Sequence, residues 1–371
     1  MASAATPIRR RTALALLGAS ALSACGPPPR PQPGLLYGRA VSNTPPKSPW
    51  DEQWTYFKGN IAKDPSIQIT YFNRSETGAE EQQMFDIRRG RAHIGGPSLQ
   101  GLSSIIPELT IAMAPFVFSS EAEVDFVYDR YLKAVFDPLF AAKGLKLLQW
   151  VEVGWTNIYS NGAILLPADA AGRRLRGSPN RAAQGFLRAV GADSVPLGAT
   201  ELVPALQTGL IDGGLGATVF HFFSTLAYAT DFTLSRHSYD TGAIIANRAW
   251  WESASASQRD TIGHAWMSSA QARQGVRRLT AFALSQMAKR GIKVHELAPD
   301  QRAQWVAATA DVAPALIADI GGASAEVWAE IQAGKAAFAA LSPLPAPTAA
   351  PKAAPKAAPK AAPKAAPKAA P

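Results

Sequence analysis

The stretch that decides the fold spans residues 165–214 and reads LLPADAAGRRLRGSPNRAAQGFLRAVGADSVPLGATELVPALQTGLIDGG. Glycine and proline separate its short periodic segments. The pattern predicts a strand, a helix, a strand, a helix and a strand at residues 175–176, 178–191, 195–197, 200–208 and 210–213. Such alternation is typical of an α/β unit. The unit can present Arg176 beside a helix N-terminus, which is a favourable place for an anion.

The same alternation continues on both sides of this stretch. Predicted strands fall at residues 35–41, 67–72, 93–96, 146–153, 232–234, 243–246 and 293–295, with residues 236–240 connecting two of them. Predicted helices fall at 49–61, 78–89, 120–143 and 255–290, the last broken only at Gly275, and further helices begin at Pro299. With 371 residues, the chain is long enough for two lobes that each bury a core.

The net charge of the chain is +9, but the excess of positive charge lies at its two ends. The first 24 and the last 29 residues hold eight basic residues and no acidic ones, which leaves 29 basic against 28 acidic residues elsewhere. A nearly neutral body lacks the basic surface that nucleic-acid binding needs, so we expect no nucleic-acid partner. Cys25 is the only cysteine, which excludes a disulfide framework and a cysteine-based metal site.

The N-terminal residues have the form of an export signal. Arginines at 9–11 precede an apolar run at 13–17 and small residues up to Ala24. Because this run is too short to cross a membrane, we predict a signal peptide over residues 1–24. The arginines also fit a twin-arginine motif, so the Sec and twin-arginine export routes both stay open.

The signal ends in Leu22-Ser23-Ala24-Cys25, which resembles the lipobox of bacterial lipoproteins. The resemblance implies that Cys25 is acylated after cleavage; the alternative is an ordinary cleavage site beside a chance cysteine. Residues 25–34 include five prolines and predict an extended tether. The repeat at 343–371, rich in proline, alanine and lysine, predicts a disordered tail that acts as a spacer or contacts anionic surfaces. We therefore expect a periplasmic body anchored to a membrane by an N-terminal lipid.

Motifs for catalysis or cofactor binding do not appear in the sequence. It has no GxGxxG followed by an acid, no P-loop, no HExxH and no GxSxG. Its five histidines show no spacing typical of metal ligands. We therefore expect no enzyme activity, no cofactor and no bound metal, while a catalytic triad assembled from distant residues stays an open alternative.

Taken in order, these segments resemble the DctP-type solute receptors of TRAP transporters (tripartite ATP-independent periplasmic transporters). The resemblance covers most of residues 35–335. Its most specific part is the opening stretch, with Gly172-Arg173-Arg174-Leu175-Arg176, Gly191-Ala192, Val195-Pro196-Leu197, Glu201 and the run from Ala205 to Gly213. Supporting matches are Thr77-Gly78, Gly90, Pro107-Glu108-Leu109, Pro115 to Phe118, and Asn247 to Trp251.

The resemblance implies an α/β fold of the two-lobed, periplasmic-binding-protein-like type, with a long helix spanning both lobes. Lobe I would comprise residues 35–153 and 241–280, and lobe II residues 154–240 and 281–342. Such receptors close on a small organic acid by hinge motion and deliver it to integral-membrane transporter subunits.

The resemblance also implies that Arg176 pairs with the carboxylate of the ligand. The planar guanidinium offers a fork of donors that matches a carboxylate, and a closed cleft excludes the water that would weaken the pair. Alternatives stay open for three further candidates: Glu80 as a helix cap, His237 as a histidine satisfied in a loop, and Phe220 as a core residue. The complete set of expected ligand contacts is Glu80, Ser98, Trp155, Thr156, Asn157, Arg176, Phe220, His237 and Trp250.

Two departures from the family pattern indicate the ligand class. Thr156 stands where many members carry a second arginine, and Gly214 to Gly216 stand where polar or metal-coordinating residues are common. Both favour an organic monocarboxylate with an apolar or aromatic body. The alternatives are an envelope lipoprotein that senses or presents a ligand without transport and, less favoured, an enzyme.

Overall fold

The computed structural model of the protein describes residues 33–73, 78 and 80–341. The predicted signal peptide, the acylation site Cys25, most of the tether and the repeat tail lie outside the described residues. Among the described helices, none combines the length and the apolar character that a membrane span requires.

The described strands all belong to one mixed sheet. They are β1 Leu36–Ser42, β2 Ile67–Asn73, β3 Ile94–Gly95, β4 Leu145–Ser160, β5 Arg174–Gly177, β6 Asp193–Pro196, β7 Gly213–Ala217, β8 Asp231–Asn247 and β9 Lys293–Glu296. Their order is β2-β1-β3-β8-β4-β7-β5-β6, with β9 beside β8. The flanks pair in parallel, as β1 does with β2 and β5 with β6, whereas the central strands β4, β7 and β8 pair antiparallel. The predicted α/β units therefore form the two flanks of the sheet.

Seven of the described α-helices begin at a residue whose side chain caps them. Side chains of Ser48, Ser120, Asn180 and Ser268 each accept a hydrogen bond from a backbone N–H of the first turn, as expected at helix N-termini. The α-helices are α1 Pro49–Ile61, α2 Glu80–Arg88, α3 Leu99–Leu102, α4 Glu121–Val127, α5 Lys133–Ala142, α6 Pro167–Ala170, α7 Arg181–Ala189, α8 Leu202–Gln207, α9 Thr218–Ser224, α10 Arg248–Ser253, α11 Ala256–His264, α12 Ser269–Lys289, α13 Pro299–Ala308, α14 Val312–Ile320 and α15 Ser324–Leu341.

Strands β4 and β8 are far longer than the sequence pattern predicts. They pair along almost their whole length, and the pairing shifts at three irregularities, the middle one between Glu152 and Gly154. Gly154 and Arg236 both have positive φ, 106° and 43°. These irregularities interrupt the period-2 alternation by which a strand is recognised. The segment 236–240, predicted as a connection, is therefore the middle of β8.

Four hydrophobic clusters form the core, two in each lobe. The clusters around Phe136 and Phe57 hold lobe I together, and those around Phe186 and Phe232 hold lobe II together. Strand β4 contributes a residue to each of the four clusters. The predicted two-lobed α/β fold is thus present, with its lobes sharing the central strands.

The terminal helices differ from their predicted assignment to lobe II. Leu316 of α14 and Ile331 of α15 are buried in the lobe I cluster. Lys335 donates hydrogen bonds to the backbone oxygen of Val117 and to Glu123 Oε1. The chain thus returns to lobe I after α13, which differs from the lobe boundary that the family resemblance implied.

The long helix that spans both lobes is α12. The predicted helix 255–290 is divided at 265–268, where Trp266 stacks on Phe57 with ring centroids 3.9 Å apart, whereas Gly275 lies inside α12 without breaking it. At one end, Arg273 pairs with Asp129 of lobe I at 2.7 Å. At the other end, Met287 is buried in a lobe II cluster.

An ion-pair network attaches α12 to the middle of β4. Arg277 donates to Asp125 and Glu152, with closest distances of 2.7 Å to each. The side chain of Glu152 is only 3% exposed. Glu152 therefore depends on Arg277 for the compensation of its buried charge.

Candidate functional site

An open cleft of about 530 Å³ lies where the two lobes face each other. Its volume is typical of a site for a small molecule, roughly 300–1,000 Å³. Both lobes supply polar and aromatic side chains to its walls, among them Trp50, Trp54, Glu80, Ser98 and Gln100 from lobe I, and Arg176, Asn180 and Phe220 from lobe II.

Arg176 is the buried cation of this cleft and is only 4% exposed. Its Nε donates to the carbonyl of Leu197 at 2.9 Å and its Nη1 to the carbonyl of Leu215 at 3.2 Å. Within the described residues, Nη2 makes no hydrogen bond and the guanidinium forms no ion pair. Burial lowers the pKa of Arg176, and the nearby Tyr159 and Asp240 act in the opposite direction. An arginine still keeps its proton, so the cleft contains an oriented positive charge.

Gly214 allows Arg176 to adopt this position. The two residues are partners in the pairing of β5 with β7. A Cβ on Gly214 would lie 2.5 Å from Tyr159 Oη, 2.8 Å from Arg176 Cβ and 2.9 Å from the carbonyl oxygen of Arg176. A glycine is therefore needed at position 214 for close packing around Arg176. This packing is a second reason for the glycine, in addition to the absence of a polar ligand group inferred from the family pattern.

We expect Gly214→Ala to lower the free energy of unfolding by about 1–3 kcal/mol, the usual cost of overpacking a buried site. Gly59→Ala in α1 is the matched control, because a Cβ there meets nothing within 4 Å; it should stabilise the protein by about 0.5–1 kcal/mol. Urea unfolding of both variants measures the difference. Equal stability of Gly214→Ala and the wild type would contradict the close packing described above.

Glu80 joins α2 to the start of α3. Its Oε1 accepts a hydrogen bond from the backbone N–H of Ser98, and its Oε2 accepts one from the Ser98 hydroxyl, both at 2.7 Å. Burial raises the pKa of Glu80, while these two hydrogen bonds act to lower it. A Cβ on Gly101 would lie 2.5 Å from Glu80 Oε2. The carboxyl group is therefore tightly enclosed by the loop that ends at α3.

Asp240 brings a second buried carboxyl group to the cleft. It is 5% exposed, and its Oδ2 accepts a hydrogen bond from Gln100 Nε2 at 2.6 Å. Its Oδ1 is buried and has no hydrogen-bond partner among the described residues. Burial and the nearby Glu80 carboxyl raise the pKa of Asp240 to about 7, while Gln100, the backbone N–H of Thr241 and Arg176 act to lower it.

The raised pKa of Asp240 predicts a pH dependence of stability. In the unfolded chain an aspartate has a pKa of about 3.9, so between pH 4 and 7 the folded protein holds a proton that the unfolded chain has released. The stabilisation due to this proton is complete below about pH 4 and is lost as the pH rises through 7. Asp240→Asn should therefore gain stability relative to the wild type between pH 5 and pH 8, by roughly 1–3 kcal/mol. Urea unfolding at both pH values tests this, and parallel profiles for the two proteins would contradict it.

Four of the predicted ligand contacts line the cleft. They are Glu80, Ser98, Arg176 and Phe220. Phe220 also packs against the lobe II cluster that contains Phe232, so it belongs to both the core and the wall of the cleft.

Thr156 and His237 line a separate cavity of about 20 Å³, the size of a single water molecule. The His237 ring stacks on Phe186 with centroids 4.0 Å apart, and its Nδ1 lies 2.8 Å from the Ser235 hydroxyl. Burial, with a smaller contribution from Arg302, lowers the pKa of His237 to about 3, so the ring is neutral. This position agrees with the alternative of a histidine satisfied within the fold.

Trp155 and Asn157 do not line the cleft. The Trp155 ring packs edge-on against Tyr239 at 4.8 Å. The Asn157 amide donates to Thr218 Oγ1 at 3.2 Å and accepts from the backbone N–H of Arg236 at 3.0 Å. Both side chains thus hold β4 to its neighbours, because the strand continues through the segment that was predicted to enter the site.

Trp250 is also placed differently from its prediction as a ligand contact. It is buried in the lobe I cluster, and its Nε1 donates to the carbonyl of Tyr37 at 2.7 Å. Its ring lies 2.9 Å from the point where a Cβ on Gly38 would stand. The indole therefore fills the core behind β1, where its N–H is already satisfied.

Several residues of the cleft were not predicted from the sequence. Trp50, Trp54, Gln100, Asn180 and Asp240 all line it. Asp240 had one usable signal, since it is the acid that immediately precedes the apolar run from 241 to 246. An ionisable residue at the edge of a buried strand is a candidate for function.

Comparison with known proteins decides the family. The family model for DctP, described as bacterial extracellular solute-binding protein, family 7, matches residues 40–318 of this chain. The chain belongs to the DctP family. The resemblance found in the sequence is thereby confirmed.

Named relatives of this DctP-family chain cover most of its length. The C4-dicarboxylate-binding periplasmic protein DctP of Rhodobacter capsulatus is 23% identical over 304 residues, which span 80% of this chain and 91% of that protein. The galactonate complex of the sugar acid binding protein DctPAm from Advenella mimigardefordensis has a TM-score of 0.76 at 25% identity, covering 82% of this chain and 98% of that one. The ectoine-binding protein of the TeaABC TRAP transporter from Halomonas elongata has a TM-score of 0.76 at 21% identity, covering 81% and 99%.

The DctP-family protein is accordingly a periplasmic solute-binding receptor of the TRAP type. Its cleft fits this role, because it lies between two lobes joined by long shared strands. Within the described residues, no group of three or more His, Cys, Asp and Glu side chains could hold a metal ion.

Proposed function

We propose that this receptor binds an organic monocarboxylate whose carboxylate pairs with Arg176. One observation carries the proposal: a 4%-exposed guanidinium that lines a cleft of about 530 Å³ has no ion-pair partner among the described residues. A buried charge without a partner is costly unless a ligand compensates it. The named ligands of relatives, a C4-dicarboxylate and galactonate, are carboxylates and support this assignment.

The apolar part of the cleft supports a ligand with an apolar or aromatic body. The rings of Trp50, Trp54 and Phe220 line the cleft together with Val151 and Ile244. Apolar walls with a few fixed polar groups give a site both its affinity and the orientation of its ligand. Thr156 stands where a second arginine is common. Threonine is uncharged and this residue lies outside the cleft, so the position supplies no second positive charge for a dicarboxylate.

A thermal-shift screen of organic acids tests the ligand class. The panel contains branched and aromatic monocarboxylates, dicarboxylates and sugar acids, and each hit is confirmed by calorimetry. We expect the largest shifts among monocarboxylates with apolar bodies, because a ligand that binds only the folded state stabilises the protein by an amount that grows with the logarithm of the ligand's affinity. Hits confined to sugar acids or dicarboxylates would contradict the monocarboxylate assignment.

We also propose that the receptor is held at a membrane by a lipid on Cys25 and delivers its ligand to integral-membrane TRAP subunits. The lipobox-like sequence before Cys25 and the proline-rich segment after it support the anchor. A Cys25→Ser variant should move from the membrane fraction to the soluble fraction of the periplasm. Retention of the variant in the membrane fraction would contradict lipid anchoring.

A further inference from the structure

The cleft of this anion receptor contains more acidic than basic side chains. Its ionisable residues are Glu80, Glu81, Arg176, Arg181 and Asp240. Among them, exposed Arg181 already pairs at 2.8 Å with an aspartate that does not line the cleft. A ligand that carried only a negative charge would neutralise Arg176. The acidic residues of the cleft would then have no basic residue of the cleft to compensate them, and uncompensated charge is unfavourable at low dielectric.

Asp240 is the acid whose hydrogen bonding is incomplete. Gln100 satisfies Oδ2 at 2.6 Å, whereas the buried Oδ1 has no partner among the described residues. Buried carboxylate oxygens are normally hydrogen-bonded, and a missing donor has a substantial cost. Asp240 lines both the cleft and the water-sized cavity beside it, so a ligand that closes the lobes around it is in a position to bring a donor to this carboxyl group.

Glu80, in contrast to Asp240, has no carboxylate oxygen that lacks a hydrogen-bond partner. Each of its carboxylate oxygens accepts a hydrogen bond from Ser98 at 2.7 Å, and Gly101 closes against Oε2. Glu80 contributes negative charge near Asp240. This charge strengthens the preference for a cation beside Asp240.

We propose that the ligand is a zwitterion, an amino- or ammonium-bearing monocarboxylate whose carboxylate pairs with Arg176 and whose cationic nitrogen donates to Asp240. This inference rests on the proposed function, because it takes Arg176 as the carboxylate site. A ligand with both charges compensates both Arg176 and Asp240 when water leaves the cleft. Trp50 and Trp54 line the same cleft, and indole rings attract cationic nitrogens.

In the competing account, the Asp240 carboxyl group is protonated and donates its O–H to a simple acid, which is an organic acid without an amino group. The two accounts differ in what an amide at this position does. Asparagine resembles a neutral carboxyl group, so it would preserve binding of a simple acid, but it cannot compensate a ligand cation.

Calorimetric titration with matched pairs of acids tests the proposal. The pairs are butanoate with 4-aminobutanoate, pentanoate with 5-aminopentanoate, and benzoate with 4-(aminomethyl)benzoate. In the wild type, at least one amino acid should bind at least about tenfold more tightly than its plain partner. Asp240→Asn should abolish this preference by weakening the amino acid while leaving the plain acid unchanged or tighter.

Two further variants separate the possible causes. Glu326→Gln removes one negative charge from an exposed position that does not line the cleft, and it should keep the preference for the amino acid. Arg176→Met should weaken both members of each pair.

Four outcomes would overturn the assignments. Plain acids that bind the wild type as tightly as their amino partners, or a preference that persists in Asp240→Asn, would overturn the zwitterion inference alone. If Asp240→Asn does not fold, the wild-type comparison still decides between the two accounts. Binding that is unaffected by Arg176→Met, or no binding of any acid to the wild type, would overturn the proposed function itself.

Discussion

Replacing Arg176 with methionine should weaken binding of the acid ligand by about 30- to 4,000-fold. Removing one partner of a buried, hydrogen-bonded charge pair costs about 2–5 kcal/mol, and each 1.4 kcal/mol is a factor of ten in affinity. Arg176→Lys should also lose most of the binding, because an ammonium group lacks the planar fork that matches a carboxylate. Calorimetric titration with the strongest hit of the organic-acid screen measures both effects.

Arg174→Met is the matched control for this experiment. Arg174 lies on the same strand two residues away, but its side chain is 48% exposed and pairs with Asp212 at 2.6 Å. Its replacement should leave ligand affinity unchanged, and both variants should give the circular dichroism spectrum of the folded protein. Full affinity in Arg176→Met would remove the assigned role of the arginine.

Replacing Arg277 with methionine should destabilise the protein by about 3–5 kcal/mol. The substitution leaves the nearly buried carboxylate of Glu152 without its charged partner, and breaking a buried ion pair from one side has a cost of this size. Burial raises the pKa of Glu152, whereas the hydrogen bond from Arg277 lowers it. Urea unfolding at neutral pH measures the loss.

The neighbouring Arg278 supplies the control for this prediction. It lies on the same helix and is exposed, so Arg278→Met should change stability by no more than about 0.5 kcal/mol. A small effect for both variants would mean that Glu152 finds compensation elsewhere, for example by taking up a proton.

Local signals predicted the flanks of the fold well. Helix α1 begins and ends at the predicted residues, because Ser48 caps it, Pro49 occupies its first turn, and acids follow at 51 and 52. The parallel units on either side of the sheet were also recognisable, since glycine and proline mark most of their turns. In these regions local propensity and tertiary structure agree.

The centre of the fold could not be predicted in the same way. In β8 the segment 236–240 is rich in polar residues and contains a residue with positive φ, which is typical of a loop. Its side chains are tolerated in a buried strand because they meet partners from distant parts of the chain, as Asp240 meets Gln100. Departures from local rules are expected where a protein builds its site.

The choice among tryptophans shows a related limit. Trp54 and Trp250 are buried in the same lobe I cluster and Trp50 packs against it, but only Trp50 and Trp54 also line the cleft. Helical spacing cannot distinguish these positions, because both kinds of tryptophan occupy one face of a helix. The packing of α1 against the other elements of lobe I decides which rings line the cleft.

The sharing of β4 and β8 between the lobes has a consequence for how the molecule unfolds. Because β4 contributes to all four hydrophobic clusters, a lobe expressed alone would lack part of its core and expose the edges of long strands, which promote aggregation. We therefore expect one cooperative thermal transition in place of two. Calorimetric and van't Hoff enthalpies that agree would establish it.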